Sequence, residues 1–356
     1  MSAAARREPA ASEPAAGGSV APAIGTGGWP ARLARAWTFA VGDFDAGVVA
    51  LSGFLIRGGV VVLAVPSVIL PSLLGLASVF SVNALGIDGQ PTQWLIAVIA
   101  WLSLAAGLWL IVAGLVGSVV DWWLIRAVAS SDPAAVGRPQ GVPDPVLLLD
   151  MASIRIGCLL PLGAALWAAS SPIYDAVYGE LTSPTNLSDP IALRVAARAA
   201  TPLGLVIVAW LAGETVSTIA VRRLVLGGGF LGALQGTVGQ LILRPASTLL
   251  TMATTTVVSV AGVACAAVIT GLAFGFVLDA ARLPQPLAAT VSIAGFNASR
   301  DLRPLVFLGS VVGLAFAWVL ALAIVGVTSA WRSAAWTEET AAAIAWDRAR
   351  GVNRAE

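Results

Sequence analysis

The sequence contains no histidine and no lysine, so all twenty of its basic residues are arginine. Without imidazole it lacks the usual general base near neutral pH, the commonest metal ligand and an axial ligand for haem. The two cysteines, Cys158 and Cys265, both lie inside apolar runs, where a thiol behaves as a small hydrophobe. Charge is scarce as well: charged residues make up 11% of the chain and the formal net charge is +1, which offers nucleic acid no basic surface. No P-loop, dinucleotide fingerprint, HExxH or CxxC occurs. An intramembrane hydrolase would need serine with histidine, or paired aspartates at depth. These absences predict a chain with no cofactor, no metal and no catalytic chemistry.

What is abundant is apolar surface. Hydrophobic residues make up 58% of the chain, more than a soluble exterior can cover, so the expected solvent is largely lipid. Six windows are long and apolar enough to cross a hydrocarbon core of about 30 Å, which takes about 20 helical residues. They run over 58–82, 94–120, 156–174, 202–221, 247–278 and 305–331. Each is continuously apolar rather than alternating, which favours helices over a barrel. The prediction is an all-α polytopic membrane protein of six transmembrane helices in a domain over 29–331. Residues 1–28, rich in Ala, Pro, Gly and Ser, predict a disordered cytoplasmic tail, and 332–356 a cytoplasmic helix or tail.

Arginine usage in place of lysine, with much Ala, Gly and Val, points to a GC-rich coding bias and so to a bacterial cytoplasmic (inner) membrane. Orientation follows from where the arginines fall. With both termini cytoplasmic, fifteen arginines lie on that side and five, Arg194, Arg198, Arg282, Arg300 and Arg303, on the other. That asymmetry satisfies the positive-inside rule.

One unit recurs three times, over about 33–127, 144–226 and 228–332. Each has an amphipathic stretch ending in an arginine, Arg57, Arg155 or Arg244, and then a transmembrane hairpin. In the first, Leu33, Trp37, Val41, Phe44, Val48, Leu51 and Leu55 recur at spacings of three and four and form one helical face. In the third, Leu231, Leu234, Val238 and Leu241 do the same; the second, around Leu147, Met151 and Ile154, is shorter. These predict cytoplasmic interfacial helices. They are either elbows packed on the bundle or, through the Trp37, Val41 and Phe44 face, a surface for a partner or the lipid leaflet.

Glu214 is the one charge inside a predicted span, about 12 Å by helix rise from the Arg222 end of its helix. A charged residue at mid-span costs about 2.5 to 3.5 kcal/mol on insertion scales, so a bundle keeps one for a function or for a partner. Glu214 predicts either a proton- or cation-binding site, with Thr215, Ser217 and Thr218 beside it, or an ion pair with an arginine at the head of a neighbouring helix, such as Arg57 or Arg155. In the fifth span Ser247, Thr251, Thr255 and Ser259 recur every four residues and the ridge continues to Gly271 and Gly275. This reads as a close-packing face or as a polar permeation stripe. Asp121 reads as an interfacial anchor. Tyr174, Asp175, Tyr178, Glu180 and Asp189 belong to one external loop, with Asn297, Arg300, Asp301 and Arg303 in another.

Two functions fit. The first is the membrane subunit of a transport-related system for a solute or lipid, using a separate ATPase or other membrane subunit, or an ion gradient. The second is a non-transporting scaffold acting through its interfacial helices. The lipid bilayer is a partner in both.

Overall fold

The structure, a computed structural model, describes residues 25–61, 63, 92–130, 143–186, 189, 191–282, 288–293, 296–301 and 303–350. Most of the predicted span 58–82, the predicted tail over 1–24 and the hairpin tip that follows the first span lie outside them. The elements are α1 (Trp29–Gly42), α2 (Phe44–Phe54), a π-type turn (Leu55–Gly59), α3 (Gln93–Ser130), α4 (Pro145–Thr182), α5 (Ile191–Arg198), α6 (Ala200–Val225), α7 (Phe230–Leu243), α8 (Pro245–Ala281), β1 (Ala288–Ile293), β2 (Phe296–Asp301) and α9 (Arg303–Ala349).

The body is all-α. Ile96–Ser130 of α3 and the helices α4, α6, α8 and α9 are long and apolar enough to cross a membrane, and α1 with Phe44–Gly59 passes the same test only as a pair bent by 94°. Large apolar side chains cover the outside of the bundle, with Trp101 71%, Trp167 83% and Phe316 74% exposed. Water cannot cover such a surface, whereas lipid can. The last loop holds an antiparallel two-stranded ribbon, from Ala288 opposite Asp301 to Ile293 opposite Phe296, which the apolar pattern did not predict.

Helix ends follow local chemistry. Asp43 stops α1 and caps α2, its carboxylate accepting from the Ala46 N–H at 3.0 Å. Gly58, at φ +97°, takes a left-handed conformation that ends the π-type turn, which glycine adopts without a steric penalty. Pro30, Pro145 and Pro245 stand in the first turns of α1, α4 and α8, where a missing N–H costs nothing.

Helix α9 is the axis of the molecule, packing on α8, α1, α2, α3 and α6. It runs unbroken through residue 331 to Ala349, and its stretch from Ala330 to Ala343 is almost wholly buried. Ala36 and Ala40 of α1 and Ala46 and Ala50 of α2 close on its Ala330, Trp331, Ala334 and Ala335. Alanines let helix backbones approach closely, so packing there depends on small side chains. A second cluster joins Ile125 of α3, Met151 and Ile154 of α4, Val221 and Leu224 of α6 and Ala233 of α7. Helix α4 also packs along α6, where a Cβ on Gly213 would overlap the Cys158 carbonyl oxygen.

Three sequence expectations change here. The face from Leu33 to Leu55 is divided between two helices, because the Asp43 cap turns the chain by 94°. The second unit has no separate elbow: α4 continues through Arg155, since no glycine turn or proline breaks it there as Gly58 and Pro245 do in the other units. The four-residue ridge of α8 does not stay on one face. A step of four residues advances about 40° beyond a full turn, so seven steps rotate it by about 280°. Burial instead follows Thr248, Thr251, Thr255, Gly262, Ala266 and Thr270, and close approach falls at Gly262 against Thr328. Around Gly271 and Gly275 a Cβ would meet nothing within 4 Å among the described residues.

Candidate functional site

Two of the arginines that head the sequence units meet at one carboxylate. Gly58 turns the chain after α2 so that Arg57 reaches α3, donating to the Gly117 carbonyl at 3.0 Å and to Asp121 Oδ2 at 2.5 Å. Arg155, two and a half turns into α4, donates to the same Oδ2. Asp121 is 4% exposed. It is therefore a buried junction of three helical segments, a pairing that its reading as an interfacial anchor did not include.

Across from it, α6 presents Glu214 and Arg222 toward α9. Glu214 Oε1 accepts from Arg332 Nη2 at 3.0 Å and from Thr218 Oγ1 at 3.5 Å. Neither Arg57 nor Arg155 forms that ion pair, and Arg332 was not among the partners the sequence suggested. Arg222, also buried, donates to the Thr218 carbonyl at 3.0 Å and to the Ser333 carbonyl, Ser333 Oγ and Thr337 Oγ1, each at 3.2 Å. It meets no carboxylate within 4 Å among the described residues. These groups surround a cavity of about 290 Å³ between α2, α3, α4, α6 and α9, with Phe54, Trp210 and Trp336 supplying apolar wall.

A second polar cluster lies along α9 beyond this cavity. Glu339, 1% exposed, holds Arg32 at 2.7 Å, Ser247 Oγ at 2.6 Å and Arg244 at 4.0 Å. Glu338 holds Arg35 at 2.7 Å and accepts from the Gly25 N–H at 2.8 Å, which fastens residues just before α1 to α9. Further along, Asp347 holds Arg223 at 2.9 Å, and Gln240 Oε1 accepts from Arg223 Nε at 3.3 Å. Glu180 forms a separate buried hub near the other end of α4, with Arg194 and Arg198 each at 3.5 Å and the Thr185 N–H at 3.2 Å. Twenty-five residues of α4 separate Arg155 from Glu180, about 37 Å of helix rise, enough to leave a hydrocarbon core of about 30 Å between the two charged layers.

The residues singled out in the sequence therefore separate. Glu214, Arg57 and Arg155 line the cavity; Thr215 and Ser217 are buried in α6 and donate to the Leu211 and Glu214 carbonyls. Thr251 accepts from Trp29 Nε1 at 2.9 Å, Thr255 donates to the Thr251 carbonyl at 2.7 Å, and Ser259 Oγ is buried without a partner among the described residues. No residue of α8 lines the cavity that contains Glu214. Trp37, Val41 and Phe44 face outward at 49%, 60% and 82% exposure, and Leu231 and Val238 of α7 do the same while Ala233, Thr237 and Gln240 turn inward. Both sets of short helices thus bury a small or polar face and present large apolar side chains to the surroundings.

Sequence reasoning missed Arg222, Arg332, Glu338 and Glu339 as members of polar clusters. The adjacent Glu338 and Glu339 inside an Ala- and Thr-rich helix were the available signal, since a solvated tail has no reason to surround carboxylates with small residues. Among the described residues no group of three or more Cys, Asp or Glu side chains is placed to hold a metal ion. No family model matches the chain, and no curated protein or solved structure does either.

Proposed function

We propose that the chain is a non-catalytic integral membrane protein of the bacterial cytoplasmic membrane, with both termini cytoplasmic, serving as the membrane subunit of a transport-related system for a solute or lipid. The observation that supports this reading is the charged cavity lined by helices from all three sequence units. Transporters often place sites where repeated units meet, and ionisable groups enclosed by membrane helices are candidates for ion and substrate pathways. In this reading the six-helix count and the threefold unit hold, Glu214 and Arg332 form a pair that opens and closes as ligand passes, and energy comes from a separate ATPase or an ion gradient.

Purification from native membranes in mild detergent, with mass spectrometry of co-purifying proteins and retained small molecules, tests it. A stoichiometric ATPase or a retained ligand is the expected outcome, together with a Glu214→Gln variant that folds but loses activity in cells. Recovery with structural membrane proteins alone, and full activity of that variant, would overturn it.

The second reading, a scaffold, is favoured by one observation, the outward face of Trp37, Val41 and Phe44. It predicts that Val41→Glu and Phe44→Glu abolish function while Glu214→Gln leaves it intact.

A further inference from the structure

The central cavity carries a charge imbalance that no described residue relieves. Its lining holds four guanidinium groups, of Arg57, Arg155, Arg222 and Arg332, and two carboxylates, of Asp121 and Glu214. Arginine does not lose its proton in proteins, so the excess positive charge is permanent. Sharing sharpens the imbalance, because Arg57 and Arg155 converge on a single oxygen of Asp121. Arg155 Nε is buried with no hydrogen-bond partner among the described residues, and Arg222 is satisfied by neutral oxygens only. Arg57 and Arg332 keep 35% and 28% of their side chains exposed, but Arg155 keeps only 12% and Arg222 is buried, and holding a cation away from water without a full counter-charge is unfavourable unless an anion joins it.

The chemistry of the donors narrows what that anion is. A neutral polar ligand would leave the charge as it stands, and a carboxylate, with two acceptor oxygens, could bridge fewer of the guanidinium groups than a phosphate can. A phosphate group carries one negative charge as the diester of a lipid headgroup and up to two as a free ion, and it offers several acceptor oxygens to planar guanidinium forks, the geometry in which arginine binds it best. The cavity is at the small end of ligand pockets, which run from about 300 to 1,000 Å³, so it suits a headgroup rather than a whole lipid. Phe54 and Trp210 stand beside the charges and give apolar wall for whatever the phosphate is attached to.

We infer that this cavity binds a phosphate-bearing anion, held by Arg155, Arg222 and Arg332, either the headgroup of an anionic lipid or a free phosphate. The inference rests on the reading of the cavity as the working site and names the ligand class for it. Glu214 is then an internal competitor: it occupies Arg332 when the anion is absent and yields it when the anion enters.

The test uses the full chain in a neutral detergent, following thermal unfolding and native mass spectrometry as ligand is added. The ligands are inorganic phosphate, short-chain phosphatidylglycerol and, as a control without phosphate, a short-chain diacylglycerol. Stabilisation by phosphatidylglycerol alone assigns the site to a lipid headgroup; stabilisation by both phosphate compounds assigns it to phosphate that diffuses freely. Ser329 lines the cavity and is partly buried. Ser329→Asp supplies a carboxylate from within, and is expected to raise the unfolding temperature of the ligand-free protein while weakening the anion about tenfold or more. Glu214→Gln removes the competitor and is expected to tighten binding several-fold, which keeps the test alive should the aspartate variant fail to fold. No stabilisation of the parent chain by either phosphate compound, or affinity unchanged in both variants, would overturn the inference. That failure is separate from failure of the transport-related reading, which shows instead as cavity variants that keep full activity in cells.

Discussion

Replacing Asp121 with asparagine probes the three-segment junction directly. The carboxylate is 6% exposed at its side chain and receives Arg57 and Arg155, whose side chains are 35% and 12% exposed. The substitution preserves shape and one acceptor oxygen but leaves both guanidinium groups facing each other with Arg222 and Arg332 nearby. Breaking a buried pair by removing one partner costs about 3–5 kcal/mol. Arg57 recovers part of its loss because its head is over a third exposed and is screened, so the expected destabilisation sits at the lower end, about 3 kcal/mol, most of it through Arg155. The assay is detergent unfolding followed by tryptophan fluorescence, with Asp121→Asn, Arg155→Gln and the double variant compared. Because much of the loss is an orphaned charge, the double variant should be more stable than the sum of the singles implies, by about 1 kcal/mol or more. A single-variant loss under about 0.5 kcal/mol, typical of a surface substitution, or strict additivity in the cycle, would refute the claim that this junction is buried and coupled.

Other expectations concern packing and the distal hub. Gly213→Ala sets a methyl group against the Cys158 carbonyl oxygen, a backbone atom that cannot swing aside, and should cost about 1–3 kcal/mol in the same unfolding assay. Gly114→Ala in α3 meets nothing within 4 Å among the described residues and should be neutral or slightly stabilising. Glu180→Gln weakens the contacts to Arg194, Arg198 and Thr185 and should raise the rate of limited proteolysis between α4 and α6, with a stability loss of about 1–3 kcal/mol. Unchanged cleavage would mean that the hub does not hold that connection.

Long apolar helices were legible because a hydrocarbon-spanning run is a local property of the sequence. The short helices that precede them were legible as amphipathic stretches: α1, α2 and α7 turn large apolar side chains outward, although the Asp43 break inside the first was read through. Pairing was not legible. Arg32 and Glu339 stand 307 positions apart, and nothing in the periodicity around either names the other. Glu214 was found because a charge inside an apolar run is conspicuous, yet its partner Arg332 sits just beyond a run, where an arginine looks like an ordinary flank. The strict four-residue spacing in α8 misled for the opposite reason: it was regular in the sequence but incommensurate with 3.6 residues per turn.

The central position of α9 has a consequence for the time course of synthesis. Arg57 can find Asp121, and Arg155 can join them, once α4 has been made. Arg32, Arg35, Arg223 and Arg244 take their carboxylates from α9, the last of the described helices to leave the ribosome. At about 5–20 residues per second, some 15–60 s separate Arg32 from Glu339. Arg32 and Arg35 wait through that whole interval and Arg223 and Arg244 join them only in its later part, all of them before the α9 carboxylates they finally meet have been made. In a membrane, anionic lipid headgroups would be the nearest temporary counterions. Arrival of α9 would then displace them one by one, so that the last helix closes the fold by replacing membrane charge with protein charge.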